Sequence, residues 1–589
     1  SYGKKGDAVV QMNWKAIDAG VDAVHKVNVP ESWHNPAPDA APKALKGSDA
    51  LVKQIRDVME PISRMDGDSL PVSAFEGNVN GEWEQGASAY EKRGTAVMVP
   101  EWDAEKCIQC NQCAFVCSHA TIRPFCLTAD EAANAPESTK LADTKPKAGE
   151  YKFTMAVSPL DCMGCGECVT VCPTKAIEMK PQESQAAQQA AFDYCVENIR
   201  KKDNIPGVVS DISVKGSQFN QPLLEFSGSC AGCAETSYAR LITQLFGEKM
   251  FISNATGCSS IWGGTASISP YTTNKESGFG PAWINSLFED NAEHGLGMQI
   301  GYETVRANLI TKVEALKGKN ADLDAVIDKY LETKNNTKAN DAPAKALIAA
   351  LEACGCDESK EILKDKQYLA KKSFWIFGGD GWAYDIGYGG LDHVLASGHD
   401  VNVMVFDTEM YSNTGGQASK ASNIGEVCQF AAAGKEISKK SLAEICMTYG
   451  YIYVAQIALG ANMAQAVKAI AEAEAYPGPS IIIGYAPCEL HGVKGGMTNC
   501  QNEMKKAVEA GYWNLFTFNP ALKAEGKNPF TLTSKAGKMD KYQEFLANET
   551  RYSRLSRAFP DRAKALFEKN QEAAEARYTH LTKLVDLYK

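Results

Sequence analysis

The sequence predicts a large α/β domain, with a parallel sheet covered by helices on both faces, preceded by a small α+β domain built around cysteines. Three observations lead to this prediction. Short buried strands alternate with helical segments after about residue 204. A cysteine motif occurs twice, opening at Cys107 and again 55 residues later at Cys162. A Gly-Asp-Gly turn follows one of the predicted strands.

The alternation of strands and helices favours a parallel sheet. Continuous runs of Val, Ile and aromatic residues are typical of strands that are buried on both faces. Helical segments between such runs predict crossovers that cover the sheet. The predicted strands are Phe374–Phe377, Val401–Phe406, Tyr451–Ala455 and Ser480–Tyr485, and the predicted helices between them are 383–397, 438–449 and 461–474.

The duplicated motif carries eight cysteines at the spacing of 4Fe–4S cluster ligands. Residues 107–122 read CIQCNQCAFVCSHATI, and residues 162–177 read CMGCGECVTVCPTKAI. In such runs three thiolates bind one cluster, and the fourth cysteine binds the cluster of the other run. The predicted ligand sets are Cys107, Cys110, Cys113 and Cys172 for one cluster, and Cys162, Cys165, Cys168 and Cys117 for the other.

Structural zinc is the alternative for these cysteines. Zinc sites usually combine two separated pairs of ligands, whereas four cysteines at cluster spacing occur here twice. The first run departs from the usual pattern because Ser118 stands where proline is common. Cys126 lies between the runs and is predicted to be a buried bystander.

The Gly-Asp-Gly turn predicts a diphosphate and Mg²⁺ site. The strand before it ends in Gly378-Gly379, and glycines allow the backbone to approach a phosphate at a helix N-terminus. Asp380 offers the oxygen ligand that Mg²⁺ requires. The next predicted strand leads into a polar loop, Asp407–Asn413. A plain turn is the alternative for Gly-Asp-Gly alone, but the order strand, turn, helix, strand and polar loop favours the cofactor site. This order resembles the thiamine diphosphate motif, although that motif usually ends in paired asparagines, and here only Asn413 is present.

A further set of cysteines suggests a third cluster. Cys230 and Cys233 precede a predicted helix at 235–245, Cys258 lies in a flexible loop, and Cys488 follows the last predicted strand. By itself the Cys230–Cys233 pair also fits a redox pair or half of a zinc site. Spacing alone leaves the ligand set open, because five other cysteines compete: Cys354, Cys356, Cys428, Cys446 and Cys500.

The bulk composition excludes several classes of function. The chain has 589 residues and a net charge of −11, so we expect several domains and no binding to nucleic acid, which needs a basic surface. No apolar run approaches the ~18 residues of a membrane span. Nineteen cysteines in so large a chain, without an export signal, favour metal chemistry over disulfides and a cytoplasmic location.

Domain boundaries are predicted from changes in composition. Residues 1–45 resemble the tail of an upstream α/β domain, with an amphipathic helix at 9–27 and a proline-rich end (Pro30, Pro36, Pro38 and Pro42). We therefore expect the chain to be one part of a larger protein. The remaining predictions are a small connector at 46–86, the two-cluster domain at 87–203, and the α/β domain at 204–589 with a helical insertion at 303–372.

Together these motifs resemble the 2-oxoacid:ferredoxin oxidoreductase family, and within it the pyruvate:ferredoxin (flavodoxin) type. The resemblance is carried by the two cysteine runs and by SGSCAGCAET, ATGCSSIWGG, FGGDGWAYDIGYGG, DTEMYSNTGGQ, PCELHG and AVEAGYWNLF. It implies the C-terminal half of such an enzyme. That half would contain an α/β thiamine diphosphate-binding domain and a small bacterial-type ferredoxin domain with two 4Fe–4S clusters.

The resemblance also implies the residues around each cofactor. The cluster nearest the thiamine would be held by Cys230, Cys233, Cys258 and Cys488, and Mg²⁺ by Asp380, Thr408 and Met410. The residues implied around thiamine diphosphate are Glu235, Cys258, Gly379, Asp380, Gly381, Trp382, Thr408, Glu409, Met410, Tyr411, Ser412 and Asn413. Asn413 would in addition contact the 2-oxo acid and is the predicted catalytic residue.

The activity implied by the resemblance is the oxidative decarboxylation of pyruvate with CoA to acetyl-CoA and CO₂. Electrons would pass through three 4Fe–4S clusters to ferredoxin or flavodoxin, in a homodimeric enzyme. The pyrimidine-binding domain would lie in an N-terminal half, so this chain alone is expected to be inactive. Two alternatives stay open: a sibling enzyme for another 2-oxo acid, and a non-catalytic electron-transfer subunit.

Overall fold

The computed structural model describes residues 3, 6–34, 45–147, 151–265, 268–318 and 321–589. The chain divides into two units, Ser1–Val52 and Lys53–Lys589. None of the described helices is both long and apolar enough to cross a membrane.

The first unit contains the amphipathic helix expected near the start of the chain. Helix α1 spans Asp7–Asp22 and has no buried residue, and a 3₁₀ turn follows at Glu31–Trp33. The end of the proline-rich stretch, with Pro36, Pro38 and Pro42, lies outside the described residues. Its assignment to an upstream domain stays a prediction.

The region predicted as a connector is made of short helical segments. Helix α2 spans Asp49–Gln54, a π-helical turn spans Ile55–Met59, and α3 spans Glu60–Ser63. Three 3₁₀ turns follow at Gly67–Ser69, Val72–Asn78 and Ala87–Tyr90.

The cysteine-rich region forms a small α+β unit, as predicted. Its strands are β1 (Met98–Trp102), β2 (Ile122–Leu127), β3 (Ala142–Asp143), β4 (Lys152–Val157) and β5 (Ile177–Pro181). Its helices are α4 (Gln112–Val116), α5 (Ala129–Ala133), α6 (Glu167–Thr170) and α7 (Gln188–Asn198). Strand β1 pairs antiparallel with β5, and β2, β4 and β3 form an antiparallel sheet. Short helices α4 and α6 occupy equivalent places in the two cysteine runs, as expected for a duplication.

The large domain is built on an eight-stranded sheet. Its strands are β6 (Met250–Asn254), β7 (Ala282–Asn285), β8 (Ser373–Gly379), β9 (Asn402–Asp407), β12 (Tyr453–Ile457), β13 (Ser480–Tyr485), β14 (Phe516–Phe518) and β15 (Phe530–Leu532). A separate small hairpin pairs β10 (Met410–Tyr411) with β11 (Gln417–Ala418). The order in the large sheet is β15-β14-β12-β13-β9-β8-β6-β7. The six strands from β12 to β7 pair in parallel, which confirms the predicted class, while β14 and β15 add an antiparallel edge.

Helices cover both faces of this sheet. The helices of the domain are α8 (Val214–Ser217), α9 (Ala234–Phe246), α10 (Cys258–Gly263), α11 (Asn291–Glu314), α12 (Ala321–Thr333), α13 (Asp341–Cys354), α14 (Asp357–Leu363), α15 (Tyr388–Ala396), α16 (Leu442–Met447), α17 (Met463–Ala475), α18 (Cys500–Ala510), α19 (Tyr542–Ala547), α20 (Thr550–Ala558) and α21 (Pro560–Leu587). The crossovers through α15 and α17 run in opposite directions along the sheet. Because parallel crossovers are right-handed, these two helices lie on opposite faces.

The segment predicted as a helical insertion is helical and has its own core. Helices α12 to α14 pack with the end of α11 around apolar side chains that include Val313, Ile327 and Leu351. Its first helix, α11, begins at Asn291, before the predicted boundary at residue 303.

Candidate active site and cluster ligands

The predicted site residues follow the carboxyl ends of four neighbouring strands. Asp380 follows β8 and Thr408 follows β9, while Cys258 comes shortly after β6 and Cys488 shortly after β13. These four strands are adjacent and parallel. Parallel strands end at the same edge of a sheet, where α/β proteins bind their ligands. The topology therefore gathers residues that are far apart in the sequence.

Three oxygen groups converge in the predicted Mg²⁺ site. The Thr408 hydroxyl donates a hydrogen bond to Oδ1 of Asp380 at 2.9 Å, and it lies 3.0 Å from the carbonyl oxygen of Met410. The other carboxylate oxygen of Asp380 accepts a hydrogen bond from Ser419 at 2.6 Å. Burial, and then the charge of Asp407, raise the pKa of Asp380 well above its usual range. A carboxylate, a hydroxyl and a carbonyl oxygen beside a second buried carboxylate suit a hard divalent cation.

The Gly-Asp-Gly turn is closely packed. A Cβ on Gly381 would lie 2.5 Å from the ring of Tyr411, so only glycine fits at this position. A Cβ on Gly379 would meet only one neighbour, at 3.9 Å, which leaves space beside that residue. Trp382 is fully buried, with its ring against Gly378. The turn continues as a π-helical segment, Gly381–Ile386, before α15 begins.

The remaining residues of the polar loop differ in exposure. Ser412 contacts Thr408 through its hydroxyl at 2.8 Å, and Tyr411 is half-buried. Glu409 is fully buried between the two proposed Mg²⁺ ligands. Asn413, the predicted catalytic residue, is exposed on the loop.

Glu235 lies in the first turn of α9, two residues after Cys233. Its carboxylate is buried and accepts a hydrogen bond from Nε1 of Trp262 at 3.1 Å. Burial raises the pKa of Glu235 to about 7. It is also among the electrostatic neighbours of Cys258. Glu235 therefore belongs to the same cluster of side chains as the third set of cysteines.

Two groups of thiols lie close together in the cysteine repeat, and the binding of one cluster by each group stays a prediction. Burial, and then the other thiols of its group, raise the pKa of Cys113 well above its usual range. The same causes raise the pKa of Cys168, with a smaller contribution from Cys113. The first group is Cys107, Cys110, Cys113 and Cys172, and the second is Cys162, Cys165, Cys168 and Cys117.

The third set also assembles around one point. Burial raises the pKa of Cys258, with further contributions from Glu235 and from the thiols of Cys233, Cys488 and Cys230. Cys230 and Cys488 lie in loops and Cys233 caps the N-terminus of α9, whereas Cys258, which was predicted in a flexible loop, is the first residue of α10. Among the described residues, no group of three or more His, Cys, Asp or Glu side chains is placed to hold a single metal ion.

The competing cysteines lie elsewhere or beside the clusters. Cys126 is buried in β2, where burial raises its pKa to about 12. Cys354 and Cys356 lie in the helical insertion with their sulfur atoms 3.1 Å apart. Cys500 is fully buried, and its electrostatic neighbours include Cys233 and Cys165. Cys500 therefore lies between the third set and the second group of the repeat.

A linking segment, Met497–Gln501, contacts the cysteine loops of both sets. A Cβ on Gly232 would lie 2.9 Å from the carbonyl oxygen of Met497. A Cβ on Gly166 would lie 2.9 Å from the hydroxyl oxygen of Thr498. The backbone therefore approaches both loops at glycines, and the third set lies next to the second group of the repeat.

His491 connects the third set with the Mg²⁺ loop. Its Nδ1 accepts a hydrogen bond from the backbone N–H of Cys488 at 3.3 Å, and its Nε2 donates to the carbonyl oxygen of Thr408 at 2.7 Å. Burial lowers the pKa of His491 to about 3, so the ring is neutral. Its contacts are those of a structural hydrogen-bonding residue.

His119 has a similar structural position at the domain boundary. It is buried, and its ring contacts the carbonyl oxygen of Ser229 at 3.1 Å. Burial lowers its pKa to about 4. The contact joins the first cysteine run to the loop that precedes Cys230.

Comparison with known families identifies three regions. Residues 106–176 match the 4Fe-4S dicluster domain, and residues 363–483 match the thiamine pyrophosphate enzyme, C-terminal TPP binding domain. Residues 39–96 match a domain of unknown function called EKR, which overlaps the predicted connector. The chain therefore contains the two cofactor-binding domains that the sequence motifs indicated.

Curated relatives match nearly the whole chain. The pyruvate-flavodoxin oxidoreductase of Enterobacter agglomerans is 49% identical over 99% of this chain and 50% of its own length. That of Klebsiella pneumoniae is 48% identical over 99% of this chain and 49% of its own length. The pyruvate:ferredoxin oxidoreductase of Moorella thermoacetica is 48% identical over 100% of this chain and 50% of its own length. The chain thus spans about half the length of these relatives, and the resemblance seen in its motifs is confirmed.

Among solved structures, a 2-oxoglutarate:ferredoxin oxidoreductase from Magnetococcus marinus covers 45% of this chain and 65% of its own. The identity is 15% and the TM-score is 0.28, too low for any argument about fold or function.

Proposed function

We propose that this chain, a homologue of about half of the pyruvate-flavodoxin and pyruvate:ferredoxin oxidoreductases, is the cofactor-binding and electron-transfer half of such an enzyme. The reaction is the oxidation of pyruvate with CoA to acetyl-CoA and CO₂. Electrons pass through three 4Fe–4S clusters to ferredoxin or flavodoxin. The substrate and electron acceptors are those in the names of the relatives, and CoA comes from the resemblance.

The observation that carries this proposal is the meeting of two sets of residues at one sheet edge. The oxygen groups of Asp380, Thr408 and Met410 lie there, and His491 joins Thr408 to the loop of Cys488. Electron transfer from an organic cofactor to a cluster requires that the two lie close together. The residues that would bind them meet at this sheet edge.

The chain's own residues suit Mg²⁺ and a diphosphate. Asp380, Thr408 and Met410 would hold the metal, and Gly379 leaves room for phosphate oxygens. Thiamine diphosphate, when bound, supplies a carbon nucleophile and an electron sink. The buried Glu235 and Cys258 would lie near the cofactor, and the exposed Asn413 would be free to contact the 2-oxo acid.

The cysteine groups give a linear relay. The third set (Cys230, Cys233, Cys258 and Cys488) would accept electrons first. The second group of the repeat lies next, across the linking segment Met497–Gln501. The first group, with Cys107 and Lys145 at the surface, would pass electrons to the external carrier.

The N-terminal half that completes the active site and the homodimer are proposed from the resemblance. The domain boundaries and a cytoplasmic location are proposed from the composition and the cysteine content. Without the N-terminal half we expect no turnover from this chain.

The decisive experiment is an anaerobic assay of the purified enzyme, which follows viologen reduction with CoA and a panel of 2-oxo acids. We expect pyruvate to give the fastest reduction. Preference for another 2-oxo acid would replace the substrate but leave the cofactors. Absence of reduction by every 2-oxo acid, in a preparation with full iron content, would favour an electron-transfer subunit.

A matched pair of variants tests the Mg²⁺ site within this assay. Asp380→Asn removes the carboxylate that meets Thr408, so we expect thiamine diphosphate binding to weaken about 100-fold, roughly 2.8 kcal/mol. Asp385→Asn is the control, because that side chain pairs instead with Lys420 at 2.8 Å. Equal binding by both variants would contradict the assignment of Asp380 to the metal.

A further inference from the structure

Glu409 has an unusual backbone conformation between the two loop ligands. Its φ angle is +62°, in the left-handed region that residues with a Cβ rarely adopt. This turn brings the Thr408 hydroxyl, which donates to Asp380, to 3.0 Å from the Met410 carbonyl oxygen. The arrangement of the Mg²⁺ ligands therefore depends on the conformation of Glu409.

The carboxylate of Glu409 is held by four donors. Oε1 lies 3.1 Å from Nζ of Lys439 and accepts from the Asn423 amide at 3.2 Å. Oε2 accepts from the Tyr512 hydroxyl at 2.6 Å and lies 2.9 Å from Nη2 of Arg551. The carboxylate is fully buried, so each of its oxygens is occupied by groups of the protein.

The two cations are themselves fixed by other buried acids. Lys439 pairs with Asp407 at 2.8 Å, and Arg551 pairs with Glu549 at 2.7 Å and Glu426 at 3.2 Å. The Glu409 carboxylate thus lies between two cations, each of which is also paired with another buried acid. Buried charges that are paired on every side hold a fixed geometry, since any displacement leaves one of them unpaired.

We propose that Glu409 is a positioning residue for the metal and not a ligand of the cofactor. Its buried carboxylate anchors the left-handed turn that aligns Thr408 and Met410 toward Asp380. The anchor ties the metal loop to the C-terminal segments that carry Tyr512 and Arg551. This inference rests on the proposed Mg²⁺–thiamine diphosphate site and adds the residues that preorganise it.

Two variants of the purified holoenzyme test the anchor, after chelation removes its metal and cofactor. Glu409→Gln keeps the size of the side chain but removes the charge that pairs with Lys439 and Arg551. Tyr512→Phe removes one hydrogen bond to the same carboxylate. Equilibrium dialysis with thiamine diphosphate at increasing Mg²⁺ gives the half-saturating Mg²⁺ concentration, and the assay gives kcat at saturation.

Tyr542→Phe is the matched control. Tyr542 is also fully buried, its ring centroid lies 6.2 Å from that of Tyr512 in a tilted arrangement, and its hydroxyl donates to Oδ1 of Asn570 at 2.7 Å. The Tyr542→Phe substitution removes a hydroxyl from the same aromatic cluster and leaves the four donors to Glu409 in place. Any general loss of packing should therefore appear equally in this variant.

We expect Glu409→Gln to raise the half-saturating Mg²⁺ concentration about 10- to 100-fold, the range found when residues that orient metal ligands are replaced. Tyr512→Phe should raise it by a smaller factor, and Tyr542→Phe should leave it unchanged. At saturating Mg²⁺, kcat should return to near the unmodified value in both test variants. Metal rescue is the signature of positioning.

Three results would overturn the proposal. The first is an unchanged Mg²⁺ dependence in Glu409→Gln. The second is a loss of thiamine diphosphate binding that no Mg²⁺ concentration restores, which would make Glu409 a direct contact of the cofactor. If Glu409→Gln does not fold, Tyr512→Phe is the deciding variant. The third result is a half-saturating Mg²⁺ concentration that is the same in Tyr512→Phe and Tyr542→Phe. Failure of the unmodified enzyme to bind the cofactor would instead reject the proposed function, and this inference with it.

Discussion

The cysteine repeat and the sheet-edge site hold their cofactors in different ways. In the repeat, all eight predicted ligands lie in two short runs, residues 107–122 and 162–177, on tight loops and short helices. At the sheet edge, the predicted ligands extend from Cys230 to Cys488 and meet only through the order of the strands. A local motif fixes its ligands by chain geometry, whereas the edge site depends on the whole domain.

The largest effect is expected from breaking the crossover within the repeat. Cys117→Ser removes a thiol of the second group, although Cys117 belongs to the first run. We expect the loss of about four iron atoms per chain from the cluster of Cys162, Cys165 and Cys168, and no reduction of the external carrier. Iron analysis and the electron paramagnetic resonance spectra of the remaining clusters measure this loss.

Cys126→Ser is the control for that variant, because Cys126 is a buried thiol of the same region in strand β2. Full iron content in Cys117→Ser would contradict the ligand role of Cys117. Loss of the signal from the cluster of Cys107, Cys110 and Cys113 in its place would show that each run binds its own cluster.

The same contrast explains what the sequence could predict. The spacing of the repeat is local, so the sequence alone predicts which thiols lie close together, while their roles as ligands stay a prediction. The sequence also predicted the turn at Asp380, because the strand before it, β8, and the next strand, β9, contain long apolar runs such as Val403–Phe406. Spacing alone did not identify all four ligands of the third set. Only the resemblance selected Cys230, Cys233, Cys258 and Cys488 from the cysteines that could serve.

Strand β6 shows why spacing failed for the third set. It has only three apolar residues and ends in Ser253 and Asn254, which are both buried. The buried Ser253 hydroxyl is hydrogen-bonded to Asn291 and His294. A run of this kind gives no strand signal, so the loop of Cys258 could not be assigned to the sheet edge. Strands β7, β14 and β15 were also missed, because each has only three or four residues.

The anchor of Glu409 was equally invisible in the sequence. Its partner Lys439 is 30 residues away along the chain, and Tyr512 is 103 residues away. No local spacing relates these residues to the polar loop. Tyr512 follows α18, after the last parallel strand, whereas Lys439 precedes α16, so only the tertiary fold brings both to Glu409.

An intermediate effect is expected where the two regions meet, at the glycines that face the linking segment. Gly232 has φ +77° and Gly166 has φ +80°, so alanine is strained at both positions, by about 1–2 kcal/mol. At Gly232 the new Cβ would also clash with a backbone carbonyl, that of Met497, whereas at Gly166 it would meet the side chain of Thr498. We therefore expect Gly232→Ala to be the more damaging substitution.

The rate of cluster reduction after mixing with pyruvate and CoA, followed by stopped-flow absorbance, measures this difference. Gly166→Ala is the matched control for strain. If the two variants transfer electrons equally fast, the close approach of Met497 to the third set does not matter for the relay. A larger defect in Gly166→Ala would reverse the expected order of the two contacts.

The smallest effect on function is expected at the amino ends of the parallel strands, opposite the metal loop. Glu474, at the end of α17, accepts hydrogen bonds from Trp375 Nε1 at 3.1 Å and from Asn402 at 3.2 Å. Burial raises the pKa of Glu474 to about 7 from an ordinary value of 4.5. The protonated form is thus favoured in the folded state, so its stabilising contribution is complete below pH 4.5 and is lost as the pH rises through 7.

We expect the unmodified protein to lose about 2.5 kcal/mol of stability between pH 5 and pH 8 relative to Glu474→Gln, which cannot titrate. Denaturant unfolding at both pH values, under anaerobic conditions, measures the difference. The half-saturating Mg²⁺ concentration should stay the same in this variant, because Glu474 lies near the amino ends of β8 and β9 and the metal loop follows their carboxyl ends. A change in Mg²⁺ dependence would mean that the amino and carboxyl ends of the strands are coupled. The Mg²⁺ site would then depend on parts of the domain beyond the residues that contact it.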